Sequence, residues 1–181
     1  MSQNEKDEFI EQILKSVEKI CQGYPEDYWL GMDKKQAYPT EFINSMTESG
    51  FLSVLIPTKY GGGGQSILTA AKILEKIHES GCNAAAAHAQ MYTMGTLLAY
   101  GSETQKEKWL TEIAEGKVRL QAFGITEPGA GTDTSSISTT ATKKGNKYII
   151  NGQKIWTSRA LHSDLMLLLA RTKSKINTQA K

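Results

Sequence analysis

The chain of 181 residues is 39% hydrophobic and 22% charged, an ordinary globular composition with room for one good core or two small ones. A net charge of +2 provides no basic stripe, so nucleic acid is excluded as the expected partner. No apolar run approaches the ~20 residues of a membrane span, and the polar, acid-bearing start MSQNEKDEF lacks the order of a signal peptide; a cytoplasmic chain is expected.

Helical signals extend to about residue 118. Phe9, Ile10, Ile13, Leu14, Val17 and Ile20 recur on one face of a first helix, which Gly23 and Pro25 end. A second is expected from Thr40 to Ser49, with Gly50 as its stop, followed by SVLIP as a short buried connector. The run Gly61 to Gly64 leads to Gln65-Ser66, not to the Lys-Ser/Thr of a phosphate loop, and reads as a flexible lead-in to a helix. Ser66 can cap that third helix, with Ile67, Ala71, Leu74 and Ile77 as its apolar stripe and Gly81 as its end. Asn83 opens a fourth, rich in alanine, to Tyr100. SETQ from Ser102 has the spacing of a capping box for a fifth, with Trp109, Leu110 and Ile113 inward and Gly116 as stop.

Past residue 118 the period changes. RLQAFGIT has strand composition, and ISTTATKKGNKYIINGQKIWTS reads as three strands joined by turns at Gly145-Asn146 and Asn151-Gly152. The apolar run from Asp164 is expected to be a strand buried on both faces. The fold class is therefore α+β: an N-terminal all-α helical bundle over 1–118, then an antiparallel β domain over 119–181. With about four strands by Lys181 and a polar tail KSKINTQAK, that β domain reads as small and open or as incomplete.

Most of the common chemistries find no motif. His78, His88 and His162 lack the spacing of a metal site, and no serine lies in a GxSxG elbow. Cys21 and Cys82 form no CxxC pair and read as free buried thiols. Two stretches remain. In GITEPGAGTD, Gly124 to Asp133, a strand opens into a loop whose glycines let a planar or anionic ligand approach the backbone, while Pro128 narrows the loop's ensemble. In KIWTSR, Trp156 followed by Thr157 and Ser158 offers a flat apolar surface beside hydroxyl groups, which suits a planar heteroaromatic cofactor. A plain surface loop and a core tryptophan are the competing readings of the two.

Together these stretches resemble the acyl-CoA dehydrogenase family of flavoproteins. PTKYGGGG, GSETQKEKWLTEIAEGK, FGITEPGAGTD, KKGNKYIINGQKIWTS and SDLMLLLART follow one another with family-like spacing, from about Phe42 to Thr172. The resemblance implies an N-terminal helical domain, a middle β domain and a C-terminal four-helix domain, the last of them absent here, with FAD between the middle and C-terminal domains. It implies that Phe123, Gly124, Ile125, Thr126, Gly131 and Thr132 line the flavin, Thr132 also near the acyl-CoA thioester. Trp156, Thr157 and Ser158 would lie along the ring, with the Ser158 hydroxyl nearest N5. Where many members have Ile-Thr and then Asn-Gly after the tryptophan, this chain has Thr157, Ser158, Arg159 and Ala160. The family's catalytic base is a glutamate of the C-terminal domain, so none is expected in this stretch, and Glu127 is placed in the loop's scaffold. An electron-transfer flavoprotein as acceptor and a homo-oligomeric full-length form follow from the same resemblance. The alternatives are an acyl-CoA oxidase and a non-catalytic binding or assembly module derived from this fold.

Overall fold

The computed structural model describes residues 2–172; the polar tail read at the C-terminus, 173–181, lies outside the described residues. Among the described residues six α-helices precede all of the strands: α1 (Gln3–Cys21), α2 (Glu26–Lys35), α3 (Thr40–Glu48), α4 (Ile67–Glu79), α5 (Ala85–Tyr100) and α6 (Glu103–Ala114). Strands β1 (Leu120–Gly124), β2 (Thr140–Lys144), β3 (Lys147–Asn151) and β4 (Leu165–Leu168) follow. Among the described residues no helix is long and apolar enough to cross a membrane.

Local chemistry sets most helix ends. Ser2 closes a capping box with Glu5, so α1 starts well before the apolar stripe that announces it. Ser66 caps α4 through the Thr69 amide, and Ser102 with Gln105 forms the box expected for α6. Asn83 accepts from the Ala85 amide at 2.8 Å and so precedes α5 instead of opening it. The sequence reading missed α2. Gly23 and Pro25 do end α1, but Pro25 also stands at the N-cap of a new helix with Glu26 and Asp27 in its first turn and Lys34 and Lys35 in its last. No residue of α2 is fully buried, so it carries no apolar stripe to read.

The main core joins Val17 of α1, Phe42, Ile43 and Met46 of α3, Ile73 and Ile77 of α4, and the alanines of α5. A second cluster sets Met94 against Leu110, Ile113, Ile56 and Leu120. The stripe of α4 departs from expectation: Thr69, Ala70, Ile73 and Ile77 are buried, whereas Ile67 is 74% exposed and Ala71 is exposed. Both stripes fit helical spacing, and packing against α1 selects between them. The SVLIP connector is buried at Ser53, Val54 and Ile56, as expected. The glycine run is no free lead-in, because the Gly63, Gly64 and Gln65 amides donate to Ser53, Ile56 and Val54. Cys21 and Cys82, distant in sequence, are free, buried and adjacent: the Cys82 thiol lies 3.7 Å from the Cys21 carbonyl. Burial first, then the neighbouring Cys82, pushes the Cys21 thiol up to about 12.

The β region corrects the antiparallel expectation in part. β2 and β3 do form an antiparallel hairpin about Gly145-Asn146, with Gly145 at φ +61. β1, however, pairs with β4 in parallel, Leu120 beside Leu165 and Gly124 beside Leu168. A parallel partner cannot come from a tight turn, so it is supplied by the distant apolar run. That run is not buried on both faces: Met166 is 45% exposed. Nor does Asn151-Gly152 make a second hairpin. Gly152, at φ +152, packs against Thr139, where a Cβ would come within 2.3 Å of the hydroxyl, and the chain continues to Ser158 without forming a strand.

α5 carries the β region. It packs on β1, the Thr93 hydroxyl donates to the Leu120 carbonyl, and the fully buried Gln121 amide donates to Gln90 at 3.3 Å. The Tyr38 hydroxyl donates to the same Gln121 at 2.6 Å. This polar junction holds the start of β1, the strand whose other end, at Gly124, opens into the loop.

Candidate functional site

β1 ends at Gly124, and Glu127 to Ala130 then closes a β-turn with Pro128 in its second position. The Ala130 amide donates to the Glu127 carbonyl at 3.1 Å and the Glu127 amide to the Ala130 carbonyl at 2.9 Å. Pro128 fixes one φ of this turn. The glycines of the loop divide into two kinds. Gly124 is buried, and a Cβ there would lie 3.2 Å from Leu168 and Met166, so packing on β4 accounts for it. Gly129 and Gly131 are exposed, adopt no positive φ, and a Cβ on either would meet nothing within 4 Å. Among the described residues, neither conformation nor packing asks for glycine at these two positions.

The second segment is 154–158. Trp156 is 84% exposed and has φ +59, the left-handed region that side-chain-bearing residues rarely adopt. An exposed indole held in a costly backbone conformation is no core tryptophan. Ser158 is exposed and Thr157 half-buried. Arg159, at φ +60, turns the chain into a 3-10 turn over Ala160–His162 and lines a cavity of about 630 Å³ beside Tyr38, Trp29 and Asn83.

The two segments meet. The Ile155 amide donates to the Thr126 carbonyl at 2.9 Å, and the Lys154 ammonium donates to the Ile125 carbonyl and to the Glu127 carboxylate, both at 2.8 Å. Glu127 and Lys154 are 2% and 9% exposed at the side chain. The other Glu127 oxygen accepts from the Ser138 amide at 2.6 Å and its hydroxyl at 2.7 Å, and the Thr139 amide reaches the first at 2.9 Å. Burial alone would raise the Glu127 pKa, but the hydrogen bonds from Lys154, Thr139 and Ser138 outweigh it and hold the carboxyl well below the usual range. Four donors thus occupy the two oxygens of this carboxylate, the arrangement of a group that holds the loop together.

The expected site residues thus fall into groups. Ile125 and Thr126, half-buried, lie against the arm that carries Trp156, Thr157 and Ser158. Phe123, half-buried in β1, sits with its ring 6.0 Å from that of Tyr92 on α5. Gly131 and Thr132 are at the exposed far side of the turn, where the Thr132 carbonyl accepts from the Thr134 amide at 3.1 Å. Reasoning from sequence missed Lys154, Ser138 and Thr139 as partners of Glu127; a lysine before an apolar pair carries no local sign of a carboxylate 27 residues away.

Comparison with known proteins matches residues 7–117 to the model of the acyl-CoA dehydrogenase N-terminal domain and residues 122–181 to that of its middle domain. The acyl-CoA dehydrogenase FadE12 of Mycobacterium tuberculosis is 32% identical over 161 residues, 88% of this chain and 41% of that protein. Among solved structures, butyryl-CoA dehydrogenase from Megasphaera elsdenii aligns with a TM-score of 0.80 at 29% identity, over 91% of this chain and 44% of that one. A chain of the structure described as an electron transferring flavoprotein of Acidaminococcus fermentans aligns with a TM-score of 0.81 at 30% identity, over 91% and 43%. The chain therefore spans about two fifths of the length of the relatives it matches.

Proposed function

The chain belongs to the acyl-CoA dehydrogenase family, and from that premise we infer that Phe123 to Thr132 and Trp156 to Ser158 form one wall of an FAD site in an enzyme that dehydrogenates an acyl-CoA thioester. Members of this family are oxidoreductases and flavoproteins that use FAD. The observation that carries the reading is the pairing of glycines that nothing among the described residues requires, Gly129 and Gly131, with an exposed Trp156 in a left-handed conformation on the adjoining arm. A backbone kept bare beside a flat apolar surface fits a planar, polar-edged ligand.

The chain divides in this proposal into a helical domain, 1–118, and part of a middle β domain, 119–181. Bound at the wall, FAD supplies an acceptor for hydride. The chain's own residues bind and orient. Trp156 covers apolar surface and excludes water, Ser158 and Thr157 offer hydroxyls to the polar edge, and Ile125 and Thr126 present the loop backbone, with Phe123 and Gly124 behind them. Gly131 and Thr132 bound the end of the wall where the thioester of the substrate would lie. An acyl-CoA substrate, an electron-transfer flavoprotein as acceptor and assembly into a homo-oligomer complete the proposal.

The test is a titration of the purified chain with FAD, read by the visible flavin band and flavin fluorescence. Saturable binding is expected, and Ser158→Ala should weaken it about five-fold, the equivalent of one hydrogen bond of ~1 kcal/mol. An unchanged spectrum at saturating FAD would reject the wall, and equal affinity of the variant would remove Ser158 from it.

A further inference from the structure

We propose that the buried Glu127–Lys154 pair is the positioning device of this site, a latch that fixes the spacing between the loop arm, 124–132, and the Trp156–Ser158 arm. The inference rests on the flavin reading for its purpose and on the structure for its geometry. Three bonds join the arms within two residues of each other: Lys154 Nζ to the Ile125 carbonyl, Lys154 Nζ to the Glu127 carboxylate, and the Ile155 amide to the Thr126 carbonyl. The first two straddle Thr126 and the third ends on it, so Thr126 is clamped opposite the residue that precedes Trp156. Glu127 then ties the loop to Ser138 and Thr139, which also carry it towards β2.

A role in positioning follows from the energetics of such pairs. The desolvation of two charges cancels much of their attraction, so a buried ion pair adds little net stability over an apolar packing of the same shape. What it does impose is direction: the ammonium must point at two acceptors at once, and the carboxylate at four donors. The Trp156 backbone, held at φ +59, needs a neighbour that over-determines its conformation, and Lys154 lies two residues before it.

The experiment compares the full chain with Lys154→Met, Lys154→Arg and Glu127→Gln by amide hydrogen exchange without ligand and by FAD titration. In Lys154→Met, exchange in segments 124–133 and 153–158 should rise at least ten-fold while α1 and α4 stay unchanged, and FAD should bind at least ten-fold more weakly. Lys154→Arg should recover part of both losses. Glu127→Gln keeps one oxygen to face Lys154 and the Thr139 amide but turns an NH2 towards the Ser138 amide and hydroxyl, so it removes the charge and one acceptor, and it should shift both readouts in the same direction. Unchanged exchange in the two arms of Lys154→Met and Glu127→Gln would overturn the latch. Raised exchange with undiminished FAD affinity would overturn its positioning role. If the unsubstituted chain binds no FAD, the flavin reading falls, while the exchange result still decides whether the pair latches the arms.

Discussion

At the residue scale the Glu127 carboxylate couples the site to pH. Its folded pKa lies below the ~4.3 of an unfolded glutamate. The stabilisation is therefore fully present above that value and is lost as pH falls towards the folded one. Protection factors of the Glu127 and Ala130 amides should be level from about pH 8 to about pH 5 and drop below about pH 4; a drop already between pH 7 and 6 would contradict the assignment. The sequence puts Glu127 in a loop beside Pro128, and the family resemblance assigns it to that loop's scaffold. Neither could show that its partner was Lys154, because that pairing depends on how two segments cross in space.

Glycines illustrate the element scale, where the same residue type answers to different causes. A Cβ on Gly62 would come within 2.3 Å of the Ile56 carbonyl and side chain, so Gly62→Ala should cost about 1–3 kcal/mol of stability in denaturant unfolding. Gly131→Ala meets nothing among the described residues, so its stability should stay within about 0.5 kcal/mol while its FAD affinity falls. Equal FAD affinity would mean that the bare backbone at Gly131 serves no ligand. Helix ends written in local chemistry were legible, as the Ser66 cap and the Ser102 box show. Helix α2 was not, for want of an apolar face, and the α4 stripe was displaced because two rows of apolar residues satisfied the same period.

For the whole molecule, the decisive contact is the polar junction of Tyr38, Gln121 and Gln90, which fastens the strands to the helices. Tyr38→Phe leaves the buried Gln121 oxygen without its 2.6 Å donor, at a cost of about 1–3 kcal/mol. The Tm read by circular dichroism should fall by roughly 2–4 °C for each of those kcal/mol, and tryptophan fluorescence should follow the same transition. Two separate transitions in the unsubstituted chain would show that the junction does not unite the two parts.

By itself the sequence determined the α+β class, the order and most boundaries of every helix but α2, the β2–β3 hairpin and the two stretches of the candidate site. All of these depend on neighbours within a few residues: caps, turns and apolar periods. Tertiary structure decided the parallel pairing of β1 with β4, the failure of Asn151-Gly152 to make a hairpin, and the junction of Glu127 with Lys154. Each of these joins residues remote along the chain. Local propensity is silent about such contacts, which packing between distant segments sets, that of α5 against β1 among them.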